Sequence, residues 1–452
     1  MSEYRDFIAA KSQLDAGDGF APTFMPSQLK DFQGYLVDWS LRAGRAALFE
    51  DCGMGKTFQQ LVWAENVARR TNKPVLILAP LSVSLQTLEE AQKFDIECVR
   101  SMDGKALDRA CSVVTNYERL HHFNHDDFGG VVCDESSIIK NFDGARKGEI
   151  TEFMKKIRYR LLCTATPSPN DYIELGTSSE ALGYLGFMDM LGTFFKNDED
   201  SLHPAFIGSK WRFKRHAEQS FWRWMASWSR ACRKPSDLGF EDCDFILPPL
   251  NEIEHTVQSP NADGDLFERP TATLADERAD TRATVRLRCE KAAQLVAKAD
   301  CSVAWCNLNA EADLLEEVIP GAVQVSGSDD DDRKEEIFQA FRHGQIKRLV
   351  TKPKIAAFGM NWQHCAHMTY FPTHSFEQYY QAVRRSWRFG QTRPVTIDAI
   401  GTTAQAKVFG NMRRKAHACD AMFEQLVAHM SNALKIDRMK TFSQKARIPT
   451  WM

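Results

Sequence analysis

The sequence predicts an α/β protein in which buried parallel strands are flanked by helices. Three observations lead to that class. Short apolar runs end in acidic or hydroxyl residues, as in Gly130-Val-Val-Cys-Asp134 and Tyr159-Arg-Leu-Leu-Cys-Thr164, and the strand ends of open α/β sheets are where ligands bind. Another apolar run feeds a Gly-x-Gly-Lys-Thr loop that opens a segment of helical period. The composition, 43% hydrophobic against 26% charged over 452 residues, supplies a large core. At roughly 100–200 residues per domain, the length predicts two to four domains.

The loop comes first. Ala46-Ala-Leu-Phe-Glu-Asp-Cys-Gly-Met-Gly-Lys-Thr57 runs from strand to loop, and Leu61, Ala64, Val67 and Ala68 then recur at helical spacing. Strand, glycine loop and helix make the setting of a P-loop. Gly53 and Gly55 let backbone N–H groups around Met54 curl about phosphate oxygens where a side chain would block the approach. Lys56 reaches the β- and γ-phosphates, and the Thr57 hydroxyl can ligate magnesium. The helix N-terminus adds partial positive charge. Glu50 stands where the strict pattern has glycine.

Asp134 and Glu135 close the next strand. Asp134 is placed to hold magnesium, and Glu135 to orient and deprotonate an attacking water. Two adjacent acids after a strand are more often a solvated turn, but about eighty residues behind a P-loop they become specific. The third strand ends in Thr164-Ala-Thr166-Pro167, whose hydroxyls can couple the magnesium site to other parts of the chain, or simply mark a turn.

Composition excludes several classes. No run of eighteen apolar residues exists, and the first residues lack an apolar secretory core, so a cytoplasmic protein without membrane contact is expected. The twelve cysteines are scattered without a CxxC pair, which argues against a disulfide framework or a zinc site. A net charge of −3 does not advertise a nucleic-acid binder, so any such contact must come from local basic surface.

Taken in order, these motifs resemble helicase superfamily two, and within it the Swi/Snf-type DNA-dependent ATPases in a compact bacterial or bacteriophage form. That subfamily carries Asp-Glu-x-Gly-x-Gly-Lys-Thr, matched here by Glu50-Asp-Cys-Gly-Met-Gly-Lys-Thr57. Leu29-Lys-Asp-Phe-Gln33 resembles a motif whose glutamine reads adenine, with Phe32 keeping a ring for stacking in place of tyrosine. Leu76-Ile-Leu-Ala-Pro80 and Thr115-Asn-Tyr-Glu118 resemble strand-end motifs, which nominates Pro80 and Thr115 as DNA contacts.

Further along, Gln381-Ala-Val-Arg-Arg385-Ser-Trp-Arg388-Phe-Gly390-Gln391 resembles the signature Gln-Ala-x-x-Arg-x-x-Arg-x-Gly-Gln. Arginines three apart share a helix face, so Arg385 and Arg388 are expected to act together as arginine fingers from the opposite lobe. Gln381, Gly359 and Asn361 would line the nucleotide. Ile355, Ala356 and Ala357 replace the family's Ala-Gly-Gly.

The resemblance implies two RecA-like P-loop lobes, at 25–170 and 281–410, with a helical insertion and linker at 171–280 between them. An N-terminal segment, 1–24, and a basic extension, 411–452, complete the chain. In the insertion, Phe221, Trp224, Met225 and Trp228 fall at helical spacing and read as core, while Lys210, Arg212, Lys214 and Arg215 are candidates for DNA backbone contact. Met422–Met430 has the period of a docking helix.

The function that follows is an ATP- and magnesium-dependent motor on DNA, duplex favoured. It would work as a monomer in replication, recombination or repair, with proteins of those pathways as partners. The alternatives are a strand-separating or annealing helicase on forked DNA, and a nucleotide-gated DNA-binding switch.

Overall fold

The strand that feeds the glycine loop, β1 (Arg45–Glu50), is buried along its whole length, as a strand without polar alternation must be. In the computed structural model, which describes residues 19–105, 112–140, 144–168, 171–197, 211–258, 274–356 and 360–439, this strand lies inside a seven-stranded sheet. Its companions are β2 (Val75–Ala79), β3 (Cys98–Arg100), β4 (Ser112–Asn116), β5 (Gly130–Asp134), β6 (Tyr159–Thr164) and β9 (Ser229–Cys232). The order is β3-β4-β2-β5-β6-β1-β9, and every pairing is parallel. Between them, β7 (Phe195–Asn197) and β8 (Trp211–Phe213) form a separate antiparallel pair.

A second sheet joins β10 (Leu250–Val257), β11 (Ser302–Trp305), β12 (Ala322–Gln324), β13 (Arg348–Thr351), β14 (His367–Tyr370) and β15 (Val395–Thr402), in the order β10-β15-β14-β11-β13-β12. It too is all parallel. Side chains alternate across it. Val303 and Trp305 enter one core with Leu349, Met368 and Ile397, while Ala304 and Cys306 enter the opposite one with Val350 and Ile400. Both faces are therefore sealed. The edge strand β10 is pinned from within, because His255 and His367 each donate Nε2–H to one oxygen of the buried Asp398 at 2.7 Å.

The predicted fold class, two parallel α/β sheets flanked by helices, is the one found. The chain divides differently from the expected 171–280 insertion. Residues through Cys243 belong to the first unit and Asp244 begins the second, so that stretch gives β9 to one sheet and β10 to the other. Hydrogen bonding decides this: β9 continues the ladder of β1, and β10 that of β15. The tail divides likewise, since Cys419 onward belongs to the first unit. There the Met430 thioether accepts from the Ala231 N–H at 3.1 Å, and Arg233 pairs with Asp420 at 2.7 Å while covering the Phe423 ring.

Helix Glu218–Trp228 bears out the core reading of the aromatic run. Phe221, Trp224, Met225 and Trp228 are buried, and so is Trp222. Trp228 meets Phe49 of β1 edge-on, at 6.2 Å between ring centroids, and Trp224 and Tyr184 at 5.4 and 6.0 Å. These rings fasten the segment to β1. Replacing Trp228 with alanine is expected to cost about 3–5 kcal/mol, read as a lower urea midpoint at unchanged slope.

Candidate functional site

The loop after β1 folds as its glycines require. Gly53 and Gly55 adopt φ of +90° and +86°, the left-handed region, and helix Lys56–Thr71 starts immediately behind them. A methyl group on Gly55 would stand 2.2 Å from Gln33 Nε2 and displace that amide, while the backbone conformation itself calls for glycine. Gln33 donates to the Met54 carbonyl at 2.8 Å and accepts from Lys30 N–H at 3.0 Å, which fastens helix Asp31–Ala43 to the loop. Phe32, expected to stack on a base, is instead buried in the packing of that helix.

Lys56 turns its ammonium into the loop, donating to the carbonyls of Glu50 at 2.8 Å and Asp51 at 3.0 Å. Burial pulls its pKa down, but the fields of Cys52, Glu135, Glu50 and Asp134 outweigh that and hold it above the ordinary lysine value. Glu50 is fully buried, with one oxygen accepting from Gln59 at 2.8 Å. Burial pushes its carboxyl up to about 7, although Lys56 and the Gln59 amide pull the other way.

The acids come from the neighbouring strands. Asp134 ends β5 and accepts from Gln60 Nε2 at 2.7 Å, while its backbone carbonyl takes the Tyr117 hydroxyl at 2.5 Å. Glu135 follows with φ 52° and ψ 52°, a conformation that costs a non-glycine residue about 1 kcal/mol or more and clusters at functional sites. Its carboxylate accepts from the Thr164 hydroxyl at 3.3 Å, and that hydroxyl in turn receives the Thr166 N–H at 3.1 Å. The Thr166 hydroxyl is buried and has no hydrogen-bond partner among the described residues. Thr57 sits half-buried in the first turn of the helix. Hydroxyl and carboxylate oxygens are the donor set magnesium takes, so the residues fit that ion.

Sequence reading passed over Gln59 and Gln60. Two adjacent amides in the helix behind the loop were the available signal, and only the fold shows both to be buried.

In the second unit the arginines are not on one helix face. The helix ends at Val383, beyond which Arg385 and Ser386 N–H bond back only three residues and the Arg385 carbonyl accepts from Trp362 N–H at 2.8 Å. Arg385 and Arg388 nevertheless converge, both donating to the Met360 carbonyl, at 3.1 and 3.3 Å. Arg385 is buried and also donates to the Gln381 carbonyl and side-chain oxygen, whereas Arg388 is half-buried. Gln381, expected at the nucleotide, is therefore a fully buried partner of Arg385. Asn361 keeps a buried Oδ1 without a partner among the described residues, and Gly359 lies outside them. Gln391 Nε2 faces the carbonyls of Gln363, Cys365 and Ser386 and clips this loop together.

The DNA candidates fare unevenly. Thr115 is fully buried within β4, so its hydroxyl meets no phosphate unless the strand end opens, and Pro80 is half-buried. Arg212 and Arg215 are exposed, while Lys214 donates to the Gly192 carbonyl at 2.5 Å. Lys210 lies outside the described residues. Among the described residues no helix is long and apolar enough to cross a membrane, and no group of three or more His, Cys, Asp or Glu side chains is placed to hold a metal ion by itself. Burial pushes the Cys133 thiol up to about 12, and those of Cys163 and Cys232 well above the usual value, so these cysteines behave as small apolar groups.

These features define the class: an α/β protein of two parallel-sheet units, the first with a glycine loop and helix behind β1 and two acids at the end of β5. No family model matches the chain. It is similar to putative protein p41 of Acyrthosiphon pisum secondary endosymbiont phage 1, 29% identical over 178 residues, which are 34% of this chain and 38% of that one. It is also similar to the mouse DNA annealing helicase and endonuclease ZRANB3, 26% identical over 202 residues, 41% of this chain and 18% of the relative. The human protein of that name matches at 26% over 180 residues, 36% of this chain and 16% of its own. The matched regions span well under half of these relatives' lengths. A Sulfolobus solfataricus SWI2/SNF2 ATPase core in complex with dsDNA aligns over 93% of this chain and 98% of its own, at 16% identity and a TM-score of 0.42, too loose a likeness to carry weight.

Glu50 gives this site a pH signature. Its carboxyl titrates near 7 when folded and near 4.5 when unfolded, so between those values the folded state holds the extra proton and stability falls as pH rises. Glu50→Gln keeps the neutral form throughout. The urea midpoint of the natural protein relative to this variant is therefore expected to fall from pH 5 to pH 8; a constant difference would contradict the assignment.

Proposed function

We propose that the chain is an ATP-hydrolysing motor that moves along DNA, duplex DNA being the favoured track. The observation that carries the reading is the convergence of Lys56, Asp134 and Glu135 in one electrostatic cluster behind two left-handed glycines. Lys56 already donates to two carbonyls at the mouth of the loop, the position from which it exchanges them for phosphate oxygens. Magnesium, held by Thr57 and Asp134, supplies neutralising charge to the phosphates when bound.

Glu135 takes the proton of the attacking water at its carboxylate, which the Thr164 hydroxyl keeps in place. Arg388 stabilises charge on the transferring phosphoryl group, and Arg385 positions the loop around Met360. Movement along DNA is supported by the mammalian relatives, whose name describes an annealing helicase on DNA, and by the exposed Arg212 and Arg215. Cytoplasmic work in replication, recombination or repair completes the reading.

Steady-state ATP hydrolysis tests this, measured alone and with duplex DNA, forked DNA, single strands or RNA. Duplex DNA is expected to stimulate turnover, and Glu135→Gln to lower it by about a hundred-fold or more. Preference for forks would move the reading to strand separation or annealing; nucleotide binding without turnover on any nucleic acid would leave a nucleotide-gated switch.

The two arginines separate by different readouts. Arg388→Ala is expected to lose about a hundred-fold in turnover at an unchanged melting temperature. Arg385→Ala, which removes buried hydrogen bonds, should lower the melting temperature as well.

A further inference from the structure

Helix Lys56–Thr71 carries two consecutive buried glutamines. Gln59 and Gln60 are both essentially unexposed, and neighbouring helix residues point about 100° apart. Their amides consequently serve different strands. Gln59 Nε2 donates to Glu50 at the end of β1, at 2.8 Å, and lies 3.3 Å from the Met54 carbonyl. Gln60 Nε2 donates to Asp134 Oδ1 at the end of β5, at 2.7 Å.

The orientation of the Gln60 amide is dictated by its partner. An ionised carboxylate only accepts, so the nitrogen must face Asp134 and the oxygen must face away. That oxygen, Oε1, is buried and accepts no hydrogen bond among the described residues, although the Cys163 thiol lies beside the Gln60 amide. A buried acceptor left unmade costs free energy, on the order of 1–3 kcal/mol, and this one is retained beside the acid that the ATP reading assigns to magnesium. A hydrated divalent cation brings the missing donors.

We infer that Gln60 is a positioning residue for the cation at Asp134, holding one carboxylate oxygen by its N–H and offering Oε1 to the cation's hydration shell. This deepens the ATP-hydrolase reading and rests on it. Groups that hold a metal-ligating side chain from behind typically govern affinity by about ten-fold or more. Gln59, bonded to Glu50 instead, serves as the internal comparison, since its loss removes an equally buried amide without touching Asp134.

The test is nucleotide binding by the full chain, followed with a fluorescent ATP analogue across a magnesium titration and again in excess chelator. Gln60→Leu is expected to raise the magnesium concentration for half-maximal binding about ten-fold. Its binding in chelator should match that of the natural protein, and Gln59→Leu should leave the magnesium midpoint in place. Thermal melts of both variants report folding.

An unchanged midpoint in folded Gln60→Leu would overturn the inference, as would equal weakening with and without magnesium, the mark of a merely structural role. If Gln60→Leu melts too early to assay, Gln60→Met replaces it with a longer flexible chain, under the same two criteria. If the natural protein binds no nucleotide, or binds it independently of magnesium, the ATP reading itself fails and the inference falls with it.

Discussion

The glycine loop of the first unit is organised around one half-buried ammonium. Lys56 is held in the loop by the Glu50 and Asp51 carbonyls, and a desolvated ammonium is stable there only because acids gather about it. Strand order delivers them. β5, β6 and β1 are consecutive neighbours, and parallel pairing aligns their C-terminal ends, with Asp134 opposite Cys163 and Thr164 opposite Phe49. β9 continues the row, its Cys232 carbonyl accepting the Asp51 N–H at 3.0 Å. An antiparallel neighbour would have sent one of these groups to the far edge of the sheet.

Much of this was legible in the sequence. The apolar runs of β1, β5 and β6 announce strands buried on both faces, and the glycines of the loop announce φ values that only glycine adopts without strain. Hidden from that reading were the buried polar contacts. Gln59 and Gln60 look like ordinary solvated helix residues until the tertiary packing shows which strand ends they meet. Thr115 reads as a ligand contact by its motif, yet the pairing of β4 between β3 and β2 encloses it.

The second unit shows a different limit. Spacing of three residues places two arginines on one face only while a helix persists, and this one ends at Val383, before either of them. The arginines still converge, on the Met360 carbonyl rather than through helical geometry. The stretch 171–280 is shared between the two sheets for a related reason. Its aromatic helix was readable from period alone, but β9 and β10 are too far from their pairing partners in sequence for local pattern to assign them to sheets.

The fate of β9 has a consequence for solubility. An edge strand presents a row of unsatisfied backbone groups that can recruit another chain, and proteins commonly blunt such edges. Here a returning stretch of chain shields the outer side of β9: the Met430 sulphur takes up the Ala231 N–H, and Phe423 with Asp420 occupies Arg233 beyond it. The long helix Ala406–Met439 thus stands where the strand of another chain could otherwise add to β9, a duty separate from any contact with nucleic acid.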